Sequence, residues 1–526
     1  MNAENLFDRL FRSERCARVA VLYEHRDITY EELREATVRT AESLHALGIV
    51  QGDRVAILLN DSPEFIASFV AIISLGAIAV PINMALRKSE QLFILKDCSA
   101  RAAIIEAQAA NALLGNLDDA TGATAEITDL KDLLVVCRET DAVIASISGM
   151  KMQRFDDAQR LPFGDGVPIR GRENREAFIL YTSGSTGEPK GAVHRQSDIF
   201  YTNETYCHEV LQLREGDRLF SSSRLPFAYG LGNAFTFPLL NGCTTILCRE
   251  KPTPDVISRI FHEARPKIFF GVPVVYRMLL EHLRRGSSLD TSSLRLCISA
   301  GEALPGQLGE EWQKTAGVEV LDGIGSTEML HMFMSNHEGA VRYGSSGKLL
   351  RGYEARLLDH EGVAIPTGEV GNLWIHGDSA AIGYWQRPET TAQTFVDGWV
   401  RTGDLYAQDE DGFWWHMGRS DDCFKPTGQW VSPIEVENVL LRHEAVHAAA
   451  VVEGFDNDGL SCVCAFVVNR TGSGENTLLE NDLRAHCEST LPRFKQPRRY
   501  IFVPDLPYTA TGKVQRFKLR EQLRRS

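Results

Sequence analysis

The sequence predicts an α/β protein with a large N-terminal layered α/β domain, a small β-barrel-like element completing it, and a small mobile α+β C-terminal domain. Three observations carry this. Runs rich in Val and Ile recur between helical stretches, the pattern of largely parallel sheets. After about Tyr343 the pattern changes to short strands parted by turn residues. At 526 residues the chain exceeds what one hydrophobic core usually supports.

The strand candidates, in order, are Val19 to Tyr23, Arg54 to Leu59, Ala102 to Glu106, Ala177 to Tyr181, Thr244 to Cys248, Lys267 to Phe270 and Leu294 to Ser299. The uncharged stretch Phe65 to Ile82 reaches the length of a membrane span, but Ser68, Ser74, Gly76 and Pro81 break it. It is expected to be a buried helix, a turn and a short strand. Asp359-His360-Glu361-Gly362, Pro366-Thr367-Gly368, Asp397-Gly398 and Asp409-Glu410-Asp411-Gly412 read as turns of an antiparallel element. A polar, Gly-containing joint at Gly418-Arg419-Ser420-Asp421-Asp422 divides the chain into domains 1–420 and 421–526.

Charge and cysteine usage exclude several classes. The net charge of −14 argues against a nucleic-acid surface. Residues 422–526 hold 14 Lys/Arg against 13 Asp/Glu, leaving 42 against 57 in residues 1–421, so the acidity belongs to the first part. Eleven scattered cysteines with no CxxC pair fit a reduced, cytoplasmic protein and not a disulfide framework or a zinc site. Charged residues interrupt Met1 to Arg12, so no secretion signal is expected. Either a monomer or a homodimer is compatible with the composition.

The strongest local signal is Tyr181-Thr182-Ser183-Gly184-Ser185-Thr186-Gly187-Glu188-Pro189-Lys190-Gly191. A short apolar strand runs into a loop of small and hydroxylated residues that ends near a lysine. Such a loop aims N–H groups and hydroxyls at phosphate oxygens, and its glycines permit close backbone approach. It lacks Walker spacing.

This loop resembles the phosphate-binding signature of the adenylate-forming superfamily, which includes acyl-CoA synthetases, luciferases and adenylation domains. Further motifs of that superfamily follow in order at Gly301-Glu302-Ala303, Asp322-Gly323-Ile324-Gly325-Ser326-Thr327-Glu328, Thr402-Gly403-Asp404, Gly418 to Asp422, and Thr511-Gly512-Lys513. The resemblance implies a carboxylate attacking the α-phosphate of ATP to give acyl-AMP and pyrophosphate, with a thiol then displacing AMP. It implies nucleotide contacts at Thr182, Ser183, Gly184, Ser185, Thr186, Gly187, Lys190, Gly301, Glu302, Ala303, Asp322, Gly323 and Ile324. Thr327 would bond the α-phosphate, and Glu328 would hold Mg2+. Asp404 would hold the ribose hydroxyls with Arg419 beside them. Lys513 would stabilise the adenylation transition state, and Asp421 would be the hinge of the small domain.

Within the superfamily the chain is most similar to bacterial benzoate-CoA ligases and related aryl-CoA ligases. The resemblance rests on Phe227 to Ala234, Glu328 to Phe333, Val341 to Gly344 and Lys513 to Arg520. An aryl acid is implied, with Ala228, Tyr229, Gly230, Gly325, His331 and Met332 around it; benzoate, 2-aminobenzoate and hydroxybenzoates remain open. The thiol tunnel would involve Lys425, Gly428 and Trp430. There the chain departs from its relatives, with Pro426 after the lysine and a tryptophan at 430. Coenzyme A is the implied acceptor, and a phosphopantetheine carrier protein is the enzymatic alternative; the basic cluster of Arg493, Lys495, Arg498 and Arg499 reads either as a contact for the coenzyme A phosphates or as a solvated charged face. A non-catalytic ligand-binding protein on the same fold is the rival class. If Asp421 is the hinge, Asp421→Pro slows one half-reaction more than the other; equal loss of both, measured separately, speaks against it.

Overall fold

In the computed structural model the described residues are 5–114, 129–137, 150–160, 175–183, 188–424, 426, 431–456, 460–470, 477–508 and 514–525. The Val/Ile runs form the centres of two sheets. One runs in the order Lys348–Leu349, Met332–Ser335, Val320–Gly325, Leu296–Ser299, Ile268–Gly271, Arg218–Ser221, Thr244–Leu247, Val19–Tyr23, Arg26–Thr29. From Val320–Gly325 to Val19–Tyr23 its neighbours are parallel, and the edges are antiparallel. The other runs Gly383–Tyr384, Pro189–Arg195, Glu176–Ser183, Ile78–Pro81, Arg54–Leu58, Ala102–Glu106, Asp132–Val136, Lys151–Arg154.

Between the sheets lies the helix Pro63–Ser74. Ser62 caps it by accepting the Phe65 N–H, and Pro63 occupies its first turn, where no intrahelical donor is lost. Every residue from Phe65 to Ser74 is buried, because the helix is covered by the strands Arg54–Leu58 and Ile78–Pro81 and by the helices Tyr30–Ala46 and Leu6–Leu10. The chain then turns at Gly76 and enters the strand Ile78–Pro81, as the breakers predict. Among the described residues no helix is long and apolar enough to cross a membrane.

The turns after Tyr343 build a five-stranded antiparallel sheet from Glu354–Leu358, Gly371–His376, Phe395–Val396, Trp399–Gln408 and Trp414–Arg419. Asp397 and Gly398, with φ of 50° and 81°, make the two-residue reversal that a right-handed twist demands. Asp409 closes the next hairpin, its carboxylate accepting the N–H groups of Asp411 and Phe413.

The small C-terminal domain has its own sheet. Val446–Phe455 pairs antiparallel with Ser461–Asn469, which pairs parallel with Arg499–Phe502. Both faces are buried: Val451 and Val463 pack with Leu440 and Leu483, and Val452 and Cys464 with Leu519. Cys462 and Cys464 share one strand face, as their spacing suggests, and all eleven cysteines are free thiols.

Phe69 joins the two large sheets. Its ring lies 5.4 Å from Phe178 on one and 5.5 Å from Phe235 in the helical turn beside the other. Phe69→Ala is expected to destabilise the large domain by about 3–5 kcal/mol, seen as a lower denaturation midpoint.

Candidate active site

The motif residues gather at the C-terminal ends of strands, where open α/β sheets expose backbone groups to ligands. Glu176–Ser183 and Pro189–Arg195 are antiparallel, with Thr182 opposite Lys190 and Ser183 opposite Pro189. The phosphate loop is therefore the tip of a hairpin. Gly184, Ser185, Thr186 and Gly187 lie outside the described residues, as do Lys425, Gly428, Trp430 and Lys513. The base of the hairpin is held by Tyr181, whose hydroxyl donates to Asp97 at 2.6 Å.

On the other sheet Thr327 and Glu328 follow the strand Val320–Gly325. Two contacts tie this loop to the phosphate hairpin. His194, on the hairpin's second strand, places Nε2 2.7 Å from the Thr327 carbonyl. Its Nδ1 lies 2.9 Å from Asp198, which also receives the backbone N–H and side-chain Nε of Arg195. The Thr327 carbonyl can only accept, so Nε2 donates to it. The second tie is Tyr384, whose hydroxyl donates to Glu328 at 2.6 Å while Lys190 Nζ sits 5.1 Å from its ring centroid. Neither His194 nor Tyr384 stands in a motif by which the site was read; each becomes visible once strands distant in sequence are neighbours.

Gly301, Glu302 and Ala303 form the loop after Leu296–Ser299, with Gly301 at a φ of 91°. Asp322 is buried beneath this loop and accepts the Leu304 N–H at 3.2 Å. Gly323 and Ile324 continue the same strand as it emerges toward the edge.

Asp404 faces Arg419 across paired strands. The guanidinium donates to Asp404 at 3.2 Å and to the Thr402 carbonyl at 2.9 Å, and its Nε lies 3.6 Å from Asp421. His416 Nε2 adds a contact to Asp404 at 3.4 Å. One arginine thus touches both the residue expected at the ribose and the residue expected at the hinge.

Tyr229 and His331 form the walls of the proposed aryl slot. Their rings stack at 5.8 Å with an interplanar angle of 28°, and Tyr206 and Phe237 lie 4.8 and 4.7 Å from the imidazole. The Tyr229 hydroxyl donates to the carbonyls of Gly271 and Ile298, at the ends of adjacent strands. Ala228 and Gly230 begin the short helix bearing Tyr229; at Gly230 a Cβ would come 2.0 Å from the Arg224 carbonyl, so no larger residue fits. Gly325 is pressed against the His331 backbone in the same way, and Met332 is buried beside it. Burial drives the His331 imidazole down to about 3, so the ring is neutral.

The AMP-binding enzyme family matches residues 10–385, and the C-terminal domain of AMP-binding enzymes matches residues 435–513. The chain belongs to the AMP-binding enzyme family. It is 41% identical to a benzoate–CoA ligase of Thauera aromatica, covering 98% of this chain and 95% of that protein. It is 35% identical to a 4-hydroxybenzoate–CoA/benzoate–CoA ligase of Rhodopseudomonas palustris, covering 99% and 93%. Among solved structures an anthranilate CoA ligase in complex with anthranoyl-AMP superposes with a TM-score of 0.90 at 36% identity, covering 99% of this chain and 97% of that one. AMP-binding CoA ligases use ATP, Mg2+ and coenzyme A.

The residues of this AMP-binding enzyme fit Mg2+ in the mode that relies on one carboxylate and substrate phosphates. Glu328 is half-buried at the loop edge with Tyr384 on one oxygen, and no group of three or more His, Cys, Asp or Glu able to hold a metal occurs among the described residues.

Burial pushes the Asp322 carboxyl up to about 8. The folded chain therefore keeps it protonated at neutral pH, while the unfolded chain ionises it at the ordinary Asp value. Its contribution to stability is complete in acid and is lost as pH rises toward 8. Asp322→Asn, neutral at any pH, is expected to gain stability on the parent more at about pH 8 than at about pH 4. Equal differences at the two, measured by denaturation, would contradict this.

Proposed function

We propose that this chain is an AMP-forming aryl acid–CoA ligase. It activates a benzoate-type acid, whether benzoate, 2-aminobenzoate or a hydroxybenzoate, to aryl-AMP with release of pyrophosphate, and then transfers the acyl group to coenzyme A. The observation that carries the reading is the aromatic cluster of Tyr229 and His331. A neutral imidazole stacked on a tyrosine ring, with Tyr206, Phe237 and Met332 beside it, suits one flat, uncharged ring. It offers no cation for a second carboxylate.

The slot adjoins the loop of Thr327 and Glu328, so the acid's carboxylate enters next to the nucleotide. A carboxylate oxygen is a poor leaving group until it becomes a mixed anhydride with phosphate. Positioning and charge stabilisation carry that step. In this reading Thr327 donates to the α-phosphate, held in place through its carbonyl by His194, and Glu328 holds Mg2+ with its orientation set by Tyr384. Bound Mg2+ offsets phosphate charge. Asp404 and Arg419 hold the ribose, Lys513 brings an ammonium to the adenylation transition state, and the lid of residues 421–526 turns about Asp421 for thioester formation. Eleven free thiols suit a reducing compartment.

The test is a panel of benzoates assayed for pyrophosphate with and without coenzyme A. At least one should release pyrophosphate alone and give a thioester with coenzyme A present. Silence with every aryl acid would sink the reading, and pyrophosphate without thioester would move the acceptor to a phosphopantetheine carrier protein.

A further inference from the structure

Among the described residues, hydrogen bonds join the small domain to the large one at Val514 and at His447. The backbone N–H of Val514 donates to Glu302 Oε1 at 3.3 Å, and Val514 is the residue that follows Lys513 in the sequence. It is bridged to Tyr508 across the same hairpin. About one helix away on the large domain, Glu281 Oε1 lies 3.1 Å from His447 Nδ1. Glu281 shares the helix Pro273–Arg284 with Arg277, whose Nη1 donates to the His447 carbonyl at 3.3 Å. Positions 277 and 281 are one turn apart, so both side chains leave the same helical face and close on one residue of the small domain, at the start of its first strand.

The chemistry suits a grip that can be released. Each contact is a hydrogen bond with a charged partner, directional and stronger than a neutral one, and among the described residues no apolar cluster spans these two points. Ionised Glu281 accepts, so His447 Nδ1 must carry the hydrogen, which it does in either a neutral or a charged ring. The grip therefore does not depend on the histidine's charge. Glu302 and Arg277 are mutually attractive and both stand near Tyr508, so the two contact points belong to one connected patch.

We propose that Arg277, Glu281 and Glu302 are positioning residues: a latch on the large domain that grips His447 and Val514 and holds the small domain in the orientation serving adenylation. The latch acts through where it places the segment bearing Lys513, and it must open before thioester formation. This rests on the proposed ligase function and on domain rotation, and adds to them the residues that set the balance between the two orientations.

The test separates the half-reactions. Arg277→Gln and Glu281→Gln are each assayed for aryl acid-dependent exchange of pyrophosphate into ATP, and for turnover of chemically prepared aryl-AMP with coenzyme A. Exchange is expected to fall about tenfold, the effect of losing one hydrogen bond with a charged partner, while turnover of aryl-AMP stays level or rises. Equal loss in both assays, or no change in either, overturns the latch. The paired exchange Glu281→Lys with His447→Glu should recover pyrophosphate exchange lost in Glu281→Lys alone, and failure to recover it also counts against the latch. Amide hydrogen exchange reads the contacts without any substrate. It should quicken at Val514 in Glu302→Ala and at residues 446–450 in Glu281→Gln, and unchanged protection there overturns the proposal. A parent enzyme giving no pyrophosphate with any aryl acid would instead refute the ligase reading, leaving hydrogen exchange to decide the latch.

Discussion

The hydrogen bond between His194 and the Thr327 carbonyl is the constraint on which the site depends, because its two ends belong to different sheets. The phosphate hairpin belongs to the sheet containing Glu176–Ser183, and the loop of Thr327 and Glu328 to the sheet containing Val320–Gly325. A nucleotide bound at the hairpin can be served by Glu328 when the facing strand ends keep a fixed separation. His194 is fully buried and anchored by Asp198, and Tyr384 adds a second tie from Lys190 to Glu328. Buried, charge-assisted contacts of this kind are directional and costly to leave half made, so they fix geometry more strictly than apolar packing does.

Burial also decides the chemical state of the pocket. His331 and Asp322 are both titratable and both lie near the nucleotide strands, yet desolvation drives one to about 3 and the other to about 8. Each is neutral at ordinary pH. These two buried groups therefore add no fixed charge, and the groups proposed to meet phosphate and ribose are Glu328, Arg419 and Asp404. This separation suits a ligand with an apolar ring at one end and a charged nucleotide at the other.

Arg419 links the residue proposed at the ribose to the residue proposed at the hinge. Its guanidinium meets Asp404 and the Thr402 carbonyl and reaches toward Asp421. Rotation of the small domain about Asp421 would change the surroundings of a group that also borders the ribose. Across the interface, Arg277 and Glu281 project from one face of a single helix, so a small rotation would break their contacts to His447 together.

The Val/Ile runs, the breakers after Phe65 and the turn residues at Asp397-Gly398 and Asp409 to Gly412 were legible because local chemistry decides them. An apolar run flanked by turns forms a strand, and a left-handed position next to glycine forms a hairpin. The strings holding Thr182, Glu328 and Asp404 stood out because each is contiguous in the sequence. By itself, then, the sequence determined the α/β layering, the order of the motifs and the free state of the thiols. Tertiary structure alone decided that His194 meets Thr327, that Tyr384 meets Glu328, that His331 is neutral between aromatic rings, and that Glu281 meets His447 and Glu302 meets Val514. Those pairs are separated by 133, 56, 166 and 212 residues at His194–Thr327, Tyr384–Glu328, Glu281–His447 and Glu302–Val514. Contacts at such distances along the chain, and the desolvation that sets a buried group's charge, arise from packing that no local pattern encodes.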